Sequence, residues 1–136
     1  MPAKLMTTIN KIQTVPNQTN SAIIHEFYQY MNNTDSSVHH KNNNLKVVIA
    51  FANFLGSNTT FHDIKKKEQI LEFLNTKIKD PERDPERRWI TTWNHYLNRI
   101  RLFFRWFYNY RGKEVDDKEV YGCIMYLIKP SKKMPT

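Results

Sequence analysis

The fold is decided by the stretch RRWITTWNHYLNRIRLFFRWFYNYR, residues 87–111. At 3.6 residues per turn, its large apolar side chains fall on one face of a helix. That face carries Trp89, Trp93, Tyr96, Leu97, Ile100, Phe103, Phe104 and Phe107. The opposite arc carries Thr91, Asn94, His95, Asn98, Arg101 and Arg105, with Arg99 at its edge. The stretch predicts a long helix with a buried aromatic face, although such a polar arc alone is also typical of a solvated helix.

Composition indicates a single all-α domain. The chain has 136 residues, of which 40% are hydrophobic and 13% aromatic, enough to bury a core. Only three residues are glycine, and the alternation of apolar and polar residues that marks a strand is nearly absent. We therefore expect four helices packed as a bundle, the last being the long aromatic one.

Three shorter helices are predicted before the long helix. The first begins near Asn17, where short polar side chains can cap free amides. The second spans residues 38–55, with Ser37 as its N-cap and Gly56 as its C-terminal stop. The third spans residues 66–78, and its lysine-rich beginning opposes the helix dipole, a small cost that phosphate contact could offset.

The long helix is expected to begin within a short tandem, DPERDPER, at residues 80–87. The second copy places Asp84 at the N-cap and Pro85 at the first helical position. Glu86 then supplies a negative charge in the first turn, where the helix dipole favours it.

Three segments follow from this pattern. Residues 1–16 are polar and predict a flexible N-terminal arm. Residues 17–112 form the helical domain, and residues 113–136 are a C-terminal linker or tail of mixed composition.

Positive charge is concentrated on the helical body. The net charge is +8, and residues 38–112 carry fourteen Lys and Arg against seven acids, a balance of +7. No Asp or Glu occurs between His39 and Phe61. A folded basic body suggests a polyanionic partner, with nucleic acid first and an anionic membrane surface second.

The second helix repeats the pattern of the long one. Its apolar stripe is backed by a polar side that carries His39, Asn42, Asn43, Lys46, Ala50 and Asn53. A helix that is merely solvated usually mixes Glu and Lys, because paired opposite charges support it. The absence of acids therefore favours a surface that meets DNA, where Arg, Lys, Asn and His reach phosphates and base edges.

Catalytic and metal chemistry are not predicted. The five His residues lack ligand spacing, and Cys123 is the only cysteine, so no disulfide or thiolate zinc site is expected. Phosphate-binding glycine loops and nucleophile elbows are absent. We expect no cofactor and no enzymatic activity. The first residues lack the apolar core of a signal peptide and no run is long enough to span a membrane, so a cytoplasmic protein is expected.

Three motifs in order carry a resemblance to a known family: FANFLG, KKKEQILEFLNTKI and WITTWNHYLNRIRLFFRWFYN. Together they resemble the core-binding domain of tyrosine recombinases, the N-terminal SAM-like helical domain of phage-type integrases, and are closest to archaeal members. The resemblance covers residues 15–111. It implies a four-helix SAM-like bundle that holds double-stranded DNA, with other recombinase subunits as partners in a synaptic assembly.

In that family the second and fourth helices enter or cross the major groove, which implies that the outward residues of both helices meet DNA. The candidate DNA-binding set is Lys41, Asn42, Asn43, Lys46, Asn53, Lys66, Lys67, Arg88, Thr91, Asn94, His95, Asn98, Arg101 and Arg105. The family's chemistry needs Arg, Lys, a His-x-x-Arg pair and a nucleophilic Tyr in a separate catalytic domain. None of the five His is followed by that Arg, so strand cleavage by this chain is not expected.

A protein-interaction module is the alternative hypothesis. Trp106, Tyr108 and Tyr110 are predicted to be exposed and could form a contact, and the apolar run at residues 120–128 could dock on a neighbouring subunit. Membrane binding is not expected, because neither basic helix arranges Lys and Trp around an exposed apolar face.

Overall fold

The computed structural model describes residues 3–111, with side chains as far as residue 109, and every regular element among them is helical. The α-helices are α1 Ala3–Lys11, α2 Gln18–Asn32, α3 Val38–Leu55, α4 Lys67–Asn75 and α5 Trp89–Arg105. Short 3-10 turns lie at Ile12–Thr14 and Phe61–Asp63, and a π-helical turn, Trp106–Arg111, continues α5. The all-α prediction is confirmed for this part of the chain, with five helices in place of four. The predicted tail at residues 113–136 lies outside the described residues.

The chain divides into two units, which meet in sequence between Ile64 and Lys65. The first unit contains α1, α2 and α3, with α3 packed against both of the others. The second unit contains α4, α5 and the π-helical turn, with α4 packed against α5.

Short polar side chains cap α2 and α3 as the sequence predicts. Asn17 Oδ1 accepts a hydrogen bond from the Asn20 amide at 3.0 Å, and Ser37 Oγ accepts one from the His40 amide at 3.1 Å. The α3 helix ends at Gly56, whose φ of 79° and ψ of −159° lie in a region that side chains with a Cβ avoid. The predicted bounds of α3 are therefore confirmed.

The beginning of α2 also holds the segment that follows α3. Asn20 is fully buried, and its Oδ1 accepts a hydrogen bond from the Phe61 amide at 2.9 Å. Its Nδ2 donates to the Thr59 carbonyl at 2.9 Å, while Asn17 Nδ2 donates to the Ser57 carbonyl at 2.8 Å. Both buried ends of the Asn20 amide are thus satisfied, which a buried polar group requires.

The structure differs from the sequence prediction at the N-terminus. Most of residues 1–16, predicted to be a flexible arm, form α1 and a 3-10 turn that pack on the first unit. Leu5, Ile12 and Val15 are at most 5% exposed. The apolar stripe is hard to recognise in the sequence because Thr8 occupies one of its buried positions, where its hydroxyl donates to Asn42 Oδ1 at 2.5 Å.

The α5 helix begins later than predicted. Arg87 has a φ of 55°, a left-handed conformation that stops a helix from running through it, so α5 begins at Trp89. Asp84 still caps the beginning of α5, because its carboxylate accepts hydrogen bonds from Trp89 N at 2.8 Å and Arg88 N at 3.0 Å. The bond from Trp89 N is the main cause that holds the pKa of Asp84 below its ordinary value, with help from Arg88 and the charge of Lys79.

The buried stripe of α5 agrees with the helical wheel in most positions. Its buried residues are Ile90, Trp93, Leu97, Ile100, Phe103 and Phe104. Trp93 Nε1 donates to Asn75 Oδ1 at 3.3 Å, and the rings of Phe73 and Tyr96 lie 5.9 Å apart, so both polar and aromatic contacts join α4 to α5. The α4 helix is shorter than predicted, since its last residue is Asn75.

The π-helical turn buries three successive aromatic residues. Trp106, Phe107 and Tyr108 are 5%, 3% and 3% exposed. The ring of Phe107 stacks on Phe103 with centroids 6.0 Å apart, and that of Tyr108 stacks on Phe104 at 5.7 Å. The prediction that Trp106 and Tyr108 are exposed is therefore wrong, and the side chain of Tyr110 lies outside the described residues.

The burial of α1 generates a stability prediction. Leu5→Ala should lower the free energy of unfolding by about 2–5 kcal/mol, the usual cost of truncating a fully buried leucine. Met6→Ala is the matched control, because Met6 lies on the same helix and is 49% exposed. Denaturant unfolding of both variants checks this. Equal stability of the two variants would mean that α1 is the loose arm that the sequence predicts.

The hydrogen bonds of Asp84 generate a pH-dependent prediction. A carboxylate with a lowered folded pKa stabilises the fold above its ordinary value of 3.8, and that contribution is lost as the pH falls through the lower folded value. Asp84→Asn keeps one oxygen acceptor and has no charge. We expect the variant to unfold at a lower temperature than the parent chain at neutral pH, with the gap closing below pH 3.8. A gap that is constant across thermal melts from neutral to acidic pH would contradict this.

Candidate nucleic-acid interface

One stripe of α3 presents polar side chains at successive turns. His39, Asn43, Lys46, Ala50 and Asn53 are spaced by three and four residues, so they lie on the same side of the helix. His39, Lys46 and Asn53 are exposed, and Asn43 and Ala50 are half-buried. Asn43 Nδ2 lies 3.0 Å from His39 Nε2, which couples the two side chains one turn apart. The stripe contains no acid, because α3 has none.

Asn42 does not belong to this stripe. It is 6% exposed and lies beneath α1, where it accepts the hydrogen bond from Thr8. Its neighbour Asn44 is fully buried, with Nδ2 3.5 Å from Met31 Sδ. The prediction that Asn42 reads a base edge fails in this structure, since a buried amide has no access to a groove. The error follows from treating α1 as an arm, which left that side of α3 uncovered.

Lys41 lies near the C-terminal end of α2 rather than on the polar stripe. Its side chain is half-buried, and its Nζ donates to Asn32 Oδ1 at 3.1 Å. An ammonium has three donors, so one bond to an amide leaves capacity for a phosphate. Lys41 therefore suits a contact with a DNA phosphate better than a contact with a base edge.

The outward face of α5 is the larger of the two polar faces. Thr91, His95, Asn98 and Arg105 are exposed, and Asn94 and Arg101 are half-buried, as the helical wheel predicts. Arg99 Nη2 lies 3.3 Å from His95 Nε2. No Asp or Glu occurs in α5 or in the π-helical turn. The outward side of α5 thus carries Asn, His and Arg side chains and no carboxylate from the helix itself.

The remaining predicted residues precede α4 and α5 or lie in the first turn of α4. Lys66 is exposed and Lys67 half-buried at the beginning of α4, where Gln69 Oε1 accepts hydrogen bonds from the Lys65 and Lys66 amides. Gln69 thereby caps a helix end that its lysines disfavour.

Arg88 precedes α5 and is paired with a carboxylate. Its Nη2 and Nε lie 2.7 Å and 2.8 Å from Glu86 Oε2, and both side chains are well exposed. A surface ion pair of this kind contributes little to stability.

The sequence-based search missed three cations in the second unit. Lys77, Lys79 and Arg83 line the same concavity as Arg88. Lys77 Nζ lies 4.6 Å from the centroid of the Tyr96 ring and 5.4 Å from that of Phe73, which holds the ammonium in place. Their spacing in the sequence matches no motif, so only their convergence in space identifies them.

No three residues of the His, Cys, Asp and Glu types gather as a metal-binding group among residues 3–111. Within the same range, no helix combines the length and the apolar character needed to cross a bilayer.

Comparison of the chain with protein-family models, with curated proteins and with solved structures found no match. The similarity to tyrosine recombinase core-binding domains therefore stays a prediction from the three sequence motifs.

Proposed function

We propose that this chain binds double-stranded DNA through the outward faces of α3 and α5. The observation that carries the proposal is the α5 face, on which Asn98, His95 and Arg105 are exposed along a helix without a single acid. The major groove, about 12 Å wide, admits an α-helix. The 17 residues of α5 extend for about 25 Å at 1.5 Å per residue, enough to follow a groove across several base pairs.

The two kinds of side chain on these faces suit two roles. Lys46, Arg101 and Arg105 carry flexible positive charges that suit phosphate oxygens, which position a protein on the duplex. Asn94, Asn98 and His95 carry paired or single donors and acceptors that suit base edges. The α3 stripe adds Asn43 and Asn53, and Thr91 extends the α5 face toward its N-terminus.

The narrower form of the proposal is that the chain is the DNA-holding module of a site-specific tyrosine recombinase. It is supported by the three sequence motifs, which occur in the family's order along α3, α4 and α5, and by the all-helical architecture of residues 3–111. In this form the chain grips DNA beside a recombination site, other recombinase subunits are its partners, and strand cleavage belongs to a catalytic domain that this sequence does not supply.

Phosphate contacts predict a specific salt dependence. Fluorescence anisotropy with a random-sequence duplex should show log affinity falling linearly with log salt, with a slope of about 0.9 per phosphate contact. Lys46→Ala and Arg105→Ala should each lower that slope by about 1. Lys11→Ala, which removes an exposed lysine on α1, is the control and should leave the slope unchanged. Equal effects of all three substitutions would show that only net charge matters and would contradict the assignment of these two faces.

Base contacts predict a separate effect on sequence preference. After selection of a preferred duplex, Asn98→Ala should weaken binding to it by about 1–3 kcal/mol while leaving random duplex affinity unchanged. The helix should tolerate the change, because Ala is the better helix former. Asn42→Ala should instead lower the melting temperature and leave the preference intact, since Asn42 bonds to Thr8. A changed preference in the Asn42 variant would overturn its placement beneath α1.

A further inference from the structure

The second unit contains a polar cavity of about 520 Å³, formed by the segment after α4 and the N-terminal half of α5. This volume lies within the range of roughly 300–1,000 Å³ that is usual for small-molecule sites. Its cationic wall comprises Lys77, Lys79, Arg83 and Arg88. These four residues surround a concavity, unlike the cations of α5, which line an open helix side.

The single carboxylate among the lining residues, that of Asp84, offsets only one of those four positive charges. Asp84 directs its two oxygens to the amides of Arg88 and Trp89, at 3.0 Å and 2.8 Å. Its charge also interacts with those of Lys79 and Arg88, so the lining residues carry four positive charges against one negative charge. Thr92 also lines the cavity and adds an uncharged hydroxyl group.

The two arginines have carboxylate partners that an incoming anion can replace. Arg83 Nε lies 3.8 Å from Asp80 Oδ2, with both side chains more than half exposed. Arg88 contacts Glu86 at 2.7 Å, again at the surface. Exposed ion pairs are weak because water screens them. A phosphate offers up to two charges and several acceptor oxygens, and arginine binds it through two parallel hydrogen bonds.

Aromatic rings form the remaining part of the wall. Trp89 and Tyr96 line the cavity and are half-buried. Lys77 Nζ lies 4.6 Å from the Tyr96 centroid, so one cation is held against the wall before any ligand arrives. Flat rings stack on such aromatic side chains. Cations and aromatic rings in one cavity match a molecule with a phosphate at one end and a flat ring at the other.

We propose that this cavity binds a small phosphorylated ligand of the nucleoside diphosphate class, with Lys77, Lys79, Arg83 and Arg88 on the phosphates and Trp89 beside the ring. The site does not rest on the proposed DNA-binding function, because Lys77, Lys79 and Arg83 are not among the candidate DNA-binding residues, and only Arg88 belongs to both sets.

Isothermal titration of the full chain with ADP, pyrophosphate and adenosine tests this. ADP and pyrophosphate should bind at one site, and adenosine, which lacks the phosphates, should bind far more weakly. Arg83→Ala and Lys79→Ala should each weaken pyrophosphate binding by about tenfold or more, as expected for the loss of one charge-assisted hydrogen bond. Lys11→Ala removes an exposed charge in the first unit and should bind like the parent chain. Both cavity residues are exposed, so thermal melts should show that these variants stay folded.

Three outcomes would overturn the proposal. The first is no heat from pyrophosphate at millimolar concentration, and the second is equal weakening by the cavity variants and Lys11→Ala. The third is displacement of pyrophosphate by a short duplex, which would assign the cavity to a backbone phosphate of DNA. Loss of pyrophosphate binding in Arg83→Ala with unchanged duplex affinity would support a separate small-ligand site.

Discussion

Burial of the apolar stripe of α5 is the constraint on which the proposed interface depends. Trp93, Leu97 and Ile100 are at most 6% exposed. Because a helix is rigid, burying one stripe fixes the direction of the opposite arc. Asn98 and Arg105 face solvent for that reason, whatever their own interactions are. The core of the second unit therefore positions the polar face, and no loop has to order itself to present it.

Burial of an apolar stripe also directs the opposite side of α3 to solvent, but α1 covers part of that side. The helix α1 packs on α3 and covers one side of it. The Thr8 hydroxyl donates a hydrogen bond to the side-chain oxygen of Asn42, and Leu5 and Ile12 are buried. What stays outward is a single stripe that includes Lys46 and Asn53. A buried amide with a hydroxyl partner also favours one register of α1 on α3, because sliding the helix by a turn would leave Asn42 without its donor.

Strong helical periodicity and end signals made much of the fold predictable from the sequence. The N-caps at Asn17 and Ser37 and the stop at Gly56 are local signals, and the structure has them where they were expected. The helix α1 was missed because Thr8 interrupts its apolar stripe, and its burial depends on a partner 34 residues away. The later start of α5 depends on the left-handed conformation of Arg87. An arginine residue type does not predict that conformation.

The outward direction of the α5 face could be predicted from periodicity, whereas the basic cavity could not. Helix geometry alone places Asn98 on the polar arc. By contrast, Lys77, Lys79, Arg83 and Arg88 converge only through the turns between α4 and α5. The burial of Asn42 beneath α1 likewise depends on a tertiary contact, its hydrogen bond with Thr8, which the sequence pattern does not predict.

The most direct test is to record amide NMR spectra of the full chain while a short duplex is added at moderate salt. If α3 and α5 meet DNA as proposed, the largest shifts will follow the outward residues, with Lys46, Asn53, His95, Asn98 and Arg105 prominent. The outward residues of α1 should shift little. Shifts spread evenly over every exposed lysine and arginine, or no shifts at all, would contradict a helical DNA-binding interface.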